Sequence, residues 1–257
     1  MNNRRRWLFA QQARWFTSQF DADAITQRAR IVADGGEVID FNAMQSFIRG
    51  LKDLGLYDNL LACWDVRFGV KKDGSGSVSR WYDISANNRD AAQATGSIQP
   101  LFNSNLGVDY ITTTGTQFFN IPETTVYEHT FIAKTRLNDY STRRPLIGDE
   151  EWFAWIRNDT LTYYVSKSVT NYLYGSYAIT PAEWLYLSHS FPDGVISNVR
   201  RSYVDFIAKG TSLGTSIPVV FDRLLGGRGY VYHGDVQKML LFNIELSASL
   251  QSQVCAL

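Results

Sequence analysis

The sequence is short of cysteine, of early proline, of long apolar runs and of any excess of charge. Only Cys63 and Cys255 occur, far apart in 257 residues. That argues against a disulfide-stapled scaffold, and both are expected as reduced, buried thiols. No apolar run approaches the ~18 residues needed to cross a bilayer, so no membrane span is expected. Arg4–Arg6 resemble the start of a secretory signal, but Trp7-Leu8-Phe9-Ala10 gives way to Gln11-Gln12, too soon for an apolar core. The sequon Asn158-Asp159-Thr160 then carries no expectation of glycosylation. Lys+Arg and Asp+Glu stand at 25 each. A zero balance argues against a nucleic-acid binder, which neutralises phosphates with a basic surface.

The missing prolines mark an internal division. All six fall at residue 100 or later, as do 12 of the 14 tyrosines. The first ~58 residues read as helical or irregular and the remainder as β-rich. Hydrophobic residues at 45% and charged residues at 19% fit a folded chain. Aromatics at 14% favour strands.

Residues 1–20 hold Arg4, Arg5, Arg6 and Arg14, no acid, and six large apolar groups: Trp7, Leu8, Phe9, Trp15, Phe16 and Phe20. A solvated tail does not carry so much apolar surface. Two readings stand: a helix packed on its own domain, or an arm burying its aromatics in another subunit with arginines at the rim. A polar helix follows, stopped by Gly35-Gly36. Asp40 then caps a second helix, in which Phe41, Met44, Phe47, Ile48, Leu51 and Leu54 make one apolar stripe before Gly55. From Leu60 the pattern becomes short strands bounded by Gly, Pro, Asn and Asp: Leu60–Trp64, Thr130–Arg136, Glu151–Arg157, Leu161–Ser166, Trp184–Ser190, Ser202–Ala208 and Lys238–Phe242. Asn158-Asp159 is the best hairpin turn. No helix of ten or more residues is expected after residue 60, so the chain reads as a sandwich or barrel and not as an α/β fold.

Three stretches carry a family likeness. Trp81-Tyr82-Asp83-Ile84-Ser85-Ala86-Asn87-Asn88-Arg89-Asp90-Ala91, with Gln93 and Pro100, resembles the W-x-D-x-S-G-N-x-x-D-A opening of laminin-G-like (concanavalin A-like) jelly-roll modules, with Ala86 where the family often has glycine. Trp184-Leu185-Tyr186-Leu187, followed by Tyr203-Val204-Asp205, resembles a pair of adjacent strands of those modules. Tyr232-His233-Gly234-Asp235-Val236 with Leu240-Leu241-Phe242-Asn243 resembles their closing strand. The resemblance covers roughly residues 60–257 and implies a mainly β, jelly-roll β-sandwich behind a helical leader (21–59) and a basic-aromatic arm (1–20). Ala33 to Asp40 with Leu51 to Leu61 also resembles a leader found ahead of such modules in bacteriophage virion proteins. It implies a virion component, homo-oligomeric and partnered by other virion proteins, attached through Arg4, Arg5, Arg6, Trp7 and Trp15. The module would decorate a head or meet a host surface glycan from the tail. A free carbohydrate-binding lectin is the alternative reading, and a glycoside hydrolase the third.

Catalytic patterns fare poorly. Retaining glycosidases of this fold carry E-x-D-x-x-E, whose alternation points acids into one groove; no Glu-x-Asp occurs here. Gly210-Thr211-Ser212-Leu213-Gly214 matches a nucleophile elbow, but Thr215-Ser216-Ile217-Pro218 is a poor helix start, so a hairpin loop is the better reading. His129, His189 and His233 have no zinc spacing and read as strand-edge residues. A non-enzyme is therefore expected. Some laminin-G-like modules bind calcium, and Asp83, Asn87 and Asp90, with Asn88, offer oxygens in one loop; the competing reading is that these side chains build the turn. No other cofactor is implied. Finally, Trp152, Trp155, Tyr164, Tyr172 and Tyr174 crowd a short stretch, offering ring faces for a glycan or a partner protein. Alternation puts Tyr163 and Tyr164 on opposite faces.

Overall fold

A computed structural model describes residues 20–138, 144–148, 153–157, 162–166, 172–175, 184–191, 208–210, 219–227 and 230–257. The two early helices form where the sequence places them. Helix α1 (Ala22–Ala33) starts at Asp21, whose Oδ1 accepts from the N–H of Asp23 at 2.9 Å and of Ala24 at 3.3 Å. It ends where Gly35 takes a φ of 78°, open to glycine at no steric cost. Helix α2 (Phe41–Asp53) starts at Asp40, which accepts from Ala43 N–H at 2.9 Å, and ends before Gly55 at φ 68°. A third helix, α3 (Ala248–Ala256), has nine residues and is capped by Ser247.

The described strands make two large antiparallel sheets and one small one, in which β16 (Gly226–Gly227) pairs with β17 (Tyr230–Val231). The first holds β1 (Leu60–Asp65), β5 (Leu101–Asn105), β6 (Val108–Thr114), β8 (His129–Leu137), β13 (Leu185–Phe191) and β18 (His233–Phe242). Its order is β13-β8-β18-β6-β5, with β1 also on β18. One long strand, β18, thus takes β6 along one half of an edge and β1 along the other. The second sheet has ten strands. Between β2 (Val70–Lys72), β3 (Val78–Trp81) and β4 (Ala91–Ala92) at one end and β14 (Ala208–Gly210) at the other run β7 (Phe119–Val126), β15 (Val219–Leu224), β9 (Arg144–Gly148), β10 (Phe153–Arg157), β11 (Thr162–Ser166) and β12 (Tyr172–Gly175), in that order.

Strand alternation sends each residue of the six-stranded sheet to one of two cores. Trp64, Ile111, Phe131, Ala133, Val236, Met239 and Leu241 face the ten-stranded sheet and meet Val78, Trp81, Phe119, Leu146, Ile147 and Leu224. Cys63, Ile132, Leu240 and Phe242 face the other way and meet Ile31, Met44, Phe47, Ile48, Leu51 and Val254. The helices are therefore a third layer, and the stripe of α2 is spent inside this chain. A Cβ at Gly234 would overlap the Arg136 carbonyl of the paired strand, which is why β18 needs glycine there.

The helical layer is also pinned by charge. Asp34, just past α1, accepts from the Tyr82 hydroxyl at 2.6 Å and Arg80 Nη1 at 3.0 Å, with Lys71 Nζ at 3.7 Å. The Tyr82 bond, then Arg80 and Lys71, hold its carboxyl below the usual aspartate range. The folded carboxylate keeps its charge to lower pH than the unfolded one. Its contribution is complete above the unfolded value near 4 and fades as pH falls through the folded value. Asp34→Asn is expected to melt lower than the parent at pH 7, with the two midpoints converging toward pH ~2. Calorimetry across that range checks it; a gap that stays constant would contradict it.

Candidate functional site

The loop carrying the opening motif is a structural joint. Asp83 is fully buried. Its Oδ1 accepts from the N–H of Cys63 and of Ser85, both at 2.8 Å; its Oδ2 accepts from Ser85 Oγ and Arg89 N–H, both at 2.7 Å. Burial pushes this carboxyl up, and those hydrogen bonds oppose the rise. Asp90 Oδ1 accepts from Asp83 N–H, and its Oδ2 pairs with Arg30 of α1 at 2.7 Å. Asn87 donates Nδ2 to the carbonyls of Leu60 and Leu61, and Asn88 takes a φ of 52°. Ala86 is not among the positive-φ residues, so alanine fits where the family often has glycine. The Asp83 and Asp90 oxygens accept from N–H and O–H donors or an arginine, and Asn87 donates to two carbonyls, so these side chains hold the turn, as the reading that competes with calcium has it. No group of three His, Cys, Asp or Glu able to hold a metal occurs among the described residues.

The histidines depart from the strand-edge reading. His129 and His189 are buried at one end of the inter-sheet core. Their Nε2 atoms lie 3.0 Å apart, and His129 meets the Phe221 ring edge-on at 5.5 Å. Strands β8 and β13 bring together two histidines that are 60 residues apart in sequence. The sequence offered no signal for this pairing. Cys63 is buried and Cys255 half-buried, and both are free thiols. Burial pushes Cys255 up to about 11 and Cys63 well above the ordinary range, as befits unreactive thiols.

The crowded aromatics acquire a geometry. Trp155 of β10 lies directly opposite Tyr164 of β11, which lies directly opposite Tyr174 of β12. Ala154, Val165 and Leu173 form the adjacent row, in register with Ile147 of the core. Directly paired positions share a sheet face and neighbours alternate. Trp155, Tyr164 and Tyr174 therefore stand in one row of positions on a single sheet face. Adjacent strands lie about 4.8 Å apart, so the row extends about 10 Å across three strands. Tyr172 joins a parallel row with Ser166 and Phe153 on the same face. Tyr163 lies opposite Ile156, in the alternate row. Trp152 lies outside the described residues, as do Asn158-Asp159, residues 211–218 of the elbow match, and Arg4, Arg5, Arg6, Trp7 and Trp15.

A second aromatic cluster was not legible in the sequence. On the outer face of the six-stranded sheet, beyond the helices, Asp235 is 2% exposed. It accepts from Arg136 Nε and Nη2 at 2.8 and 2.6 Å, Asn138 Nδ2 at 3.0 Å and Thr112 Oγ1 at 2.7 Å. The Arg136 guanidinium lies 5.3 Å from the Tyr110 ring and 5.1 Å from that of Trp184, and these rings meet edge-on at 5.7 Å. Its sequence signals are Trp184, within the second family stretch, and Asp235, within the third. Asp235 takes donors from β8 and β6 and from Asn138, so this cluster fixes β8, β18 and β6 together.

No family profile matches the sequence, and no curated protein does. Solved structures do. Domain 4 of the extracellular GH43 arabinanase AbnA from Geobacillus stearothermophilus, in complex with arabinotriose, superposes with a TM-score of 0.54 at 12% identity. The match covers 77% of this chain and 97% of that one. Trypanosoma rangeli sialidase in complex with sialic acid gives 0.51 at 14% identity over 83% of this chain, which corresponds to only 38% of the sialidase chain. Botulinum neurotoxin type C, whose cell entry depends on interaction with two ganglioside molecules, gives 0.50 at 10% identity over 79% of this chain and 52% of that chain. The sheet order, the two-sided core and these likenesses agree on one fold, a two-sheet antiparallel β-sandwich of the concanavalin A-like, jelly-roll kind with N-terminal helices laid on it.

Proposed function

We propose that the chain is a non-enzymatic carbohydrate-binding module, and that Trp155, Tyr164 and Tyr174 are its binding platform. The observation that carries this is the register: three aromatic residues at directly paired positions on successive strands, and so on one sheet face. Flat rings in a row offer apolar faces to the C–H faces of successive sugar rings, with phenol and indole groups as polar handles. The fold likeness to a domain that binds arabinotriose and to a ganglioside-dependent toxin supports the reading. The missing Glu-x-Asp-x-x-Glu pattern supports binding without turnover.

A glycan array with the full chain tests it. At least one oligosaccharide is expected to bind, and Trp155→Ala and Tyr164→Ala are each expected to weaken it by about tenfold or more, with unchanged circular dichroism. Binding that ignores both substitutions, or no binding to any glycan, would sink the platform. Turnover on a polysaccharide panel would overturn the non-enzymatic part.

A second reading concerns where the module works. We propose a bacteriophage particle, with a host surface glycan as the ligand and residues 1–20 as the attachment segment. The observation favouring residues 1–20 over the leader is that the stripe of α2 is already buried on its own sheet. Arg4, Arg5, Arg6, Trp7 and Trp15 are the basic-aromatic set of the sequence outside that stripe. Deleting residues 1–20 is expected to abolish incorporation into particles while leaving glycan binding intact; normal incorporation would remove this reading.

A further inference from the structure

Along the seam between the helical layer and the six-stranded sheet, one cross-strand row is charged. Tyr186 of β13, Lys134 of β8, Lys238 of β18 and Asp65 of β1 stand at successive paired positions. Lys238 is 3% exposed and Asp65 fully buried. Asp65 is already engaged: Arg67 donates to it through Nε at 3.0 Å and Nη2 at 2.6 Å, and Lys238 Nζ lies 3.7 Å away. Lys238 Nζ also sits 4.5 Å from the Phe47 ring of α2. Lys134 has no carboxylate and no hydrogen-bond acceptor among the described residues, only the Tyr186 ring at 5.6 Å. Three cations thus share one carboxylate.

Two lysines at directly opposed positions have β-carbons about 5 Å apart and repel. The carbonyl end of α3 lies beside them, with Cys255 O accepting from the Tyr186 hydroxyl at 3.0 Å, but a helix C-terminus offers only about half a negative charge. Burial, with Lys238 and Arg67, depresses the Lys134 ammonium below the usual lysine range, and Asp65 offsets this only in part. Such an arrangement is costly unless something negative completes it.

We infer that this seam is an oxyanion site, in which Lys134 donates directly to a single carboxylate or phosphate group while Lys238 and Arg67 supply the field. A compact ammonium with three donors, and no acceptor among the described residues, suits a tetrahedral or carboxylate oxyanion. Lys134 and Tyr186 are both half-buried, so the seam is open to a small group. The inference is independent of the aromatic platform, which lies on the other sheet.

The test uses the full chain with 13C,15N-labelled lysine, titrated with inorganic phosphate and separately with glucuronate, against sodium chloride at matched ionic strength. One saturable site per chain is expected, with the Lys134 side-chain signals moving most. Saturation by phosphate alone identifies a phosphate source, and saturation by glucuronate alone a carboxylate source. Lys134→Met is expected to abolish saturation and Lys134→Arg to retain it. In anion-free buffer Lys134→Met is expected to melt a few degrees above the parent, because a like-charge pair is gone. Shifts that only follow ionic strength, or saturation that survives in Lys134→Met, would overturn the site.

Discussion

Phe47→Ala is expected to lower the unfolding free energy by about 3–5 kcal/mol, although Phe47 belongs to no strand of the sandwich. Its ring is fully buried, packs against Phe68 at 5.5 Å between centroids and underlies Lys238 Nζ. Cutting it back removes apolar area and opens a cavity that the neighbouring β-sheet cannot collapse to fill. The physical claim is that helices and sandwich share a core, so they should unfold together. In urea, circular dichroism and tryptophan fluorescence are expected to give one coincident transition in the parent and in the variant, with the midpoint moved down. Two separated transitions, the helical one alone responding, would show that the helical layer is an appendage.

Asp83→Ala is expected to cost nearly as much, about 3–4 kcal/mol, by a different route. The substitution strands the buried N–H groups of Cys63, Ser85 and Arg89 together with the Ser85 hydroxyl. An unmet buried donor costs about 1–3 kcal/mol, and partial relaxation keeps the total below their sum. Asp83→Asn keeps one oxygen for Cys63 and Ser85 but turns an NH2 toward the Arg89 N–H, so roughly half the loss is expected. Chemical denaturation of the three proteins gives the order parent, Asn, Ala. An asparagine variant as stable as the parent would mean that Oδ2 contributes nothing.

Much of the scaffold was written locally. Asp21, Asp40 and the glycines at 35 and 55 mark helix ends because caps and positive φ act within a few residues. The strands read at Leu60–Trp64, Thr130–Arg136, Glu151–Arg157, Leu161–Ser166 and Trp184–Ser190 lie within two residues of the observed ones, and Lys238–Phe242 is the second half of β18. The W-x-D-x-S motif was readable as a pattern. That its aspartates serve backbone donors and Arg30, and not a cation, needed the neighbouring strand and helix.

Contacts between distant segments were not legible. Arg136 with Asp235, His129 with His189 and Lys134 with Lys238 lie 99, 60 and 104 residues apart in sequence. Each is created by the order in which β13, β8 and β18 pair, and a strand's own residues do not encode its neighbour. The aromatic platform falls between these cases. The sequence determined that Trp155, Tyr164 and Tyr174 sit on strands and that alternation would sort them to faces. Only the pairing register decided that all three meet in one row. The sequence by itself determined the ends of the two early helices and the rough extent of six strands, because capping, φ preference and alternation are short-range effects. The tertiary structure decided which residues meet, because a one-residue shift in register moves every side chain to the opposite face.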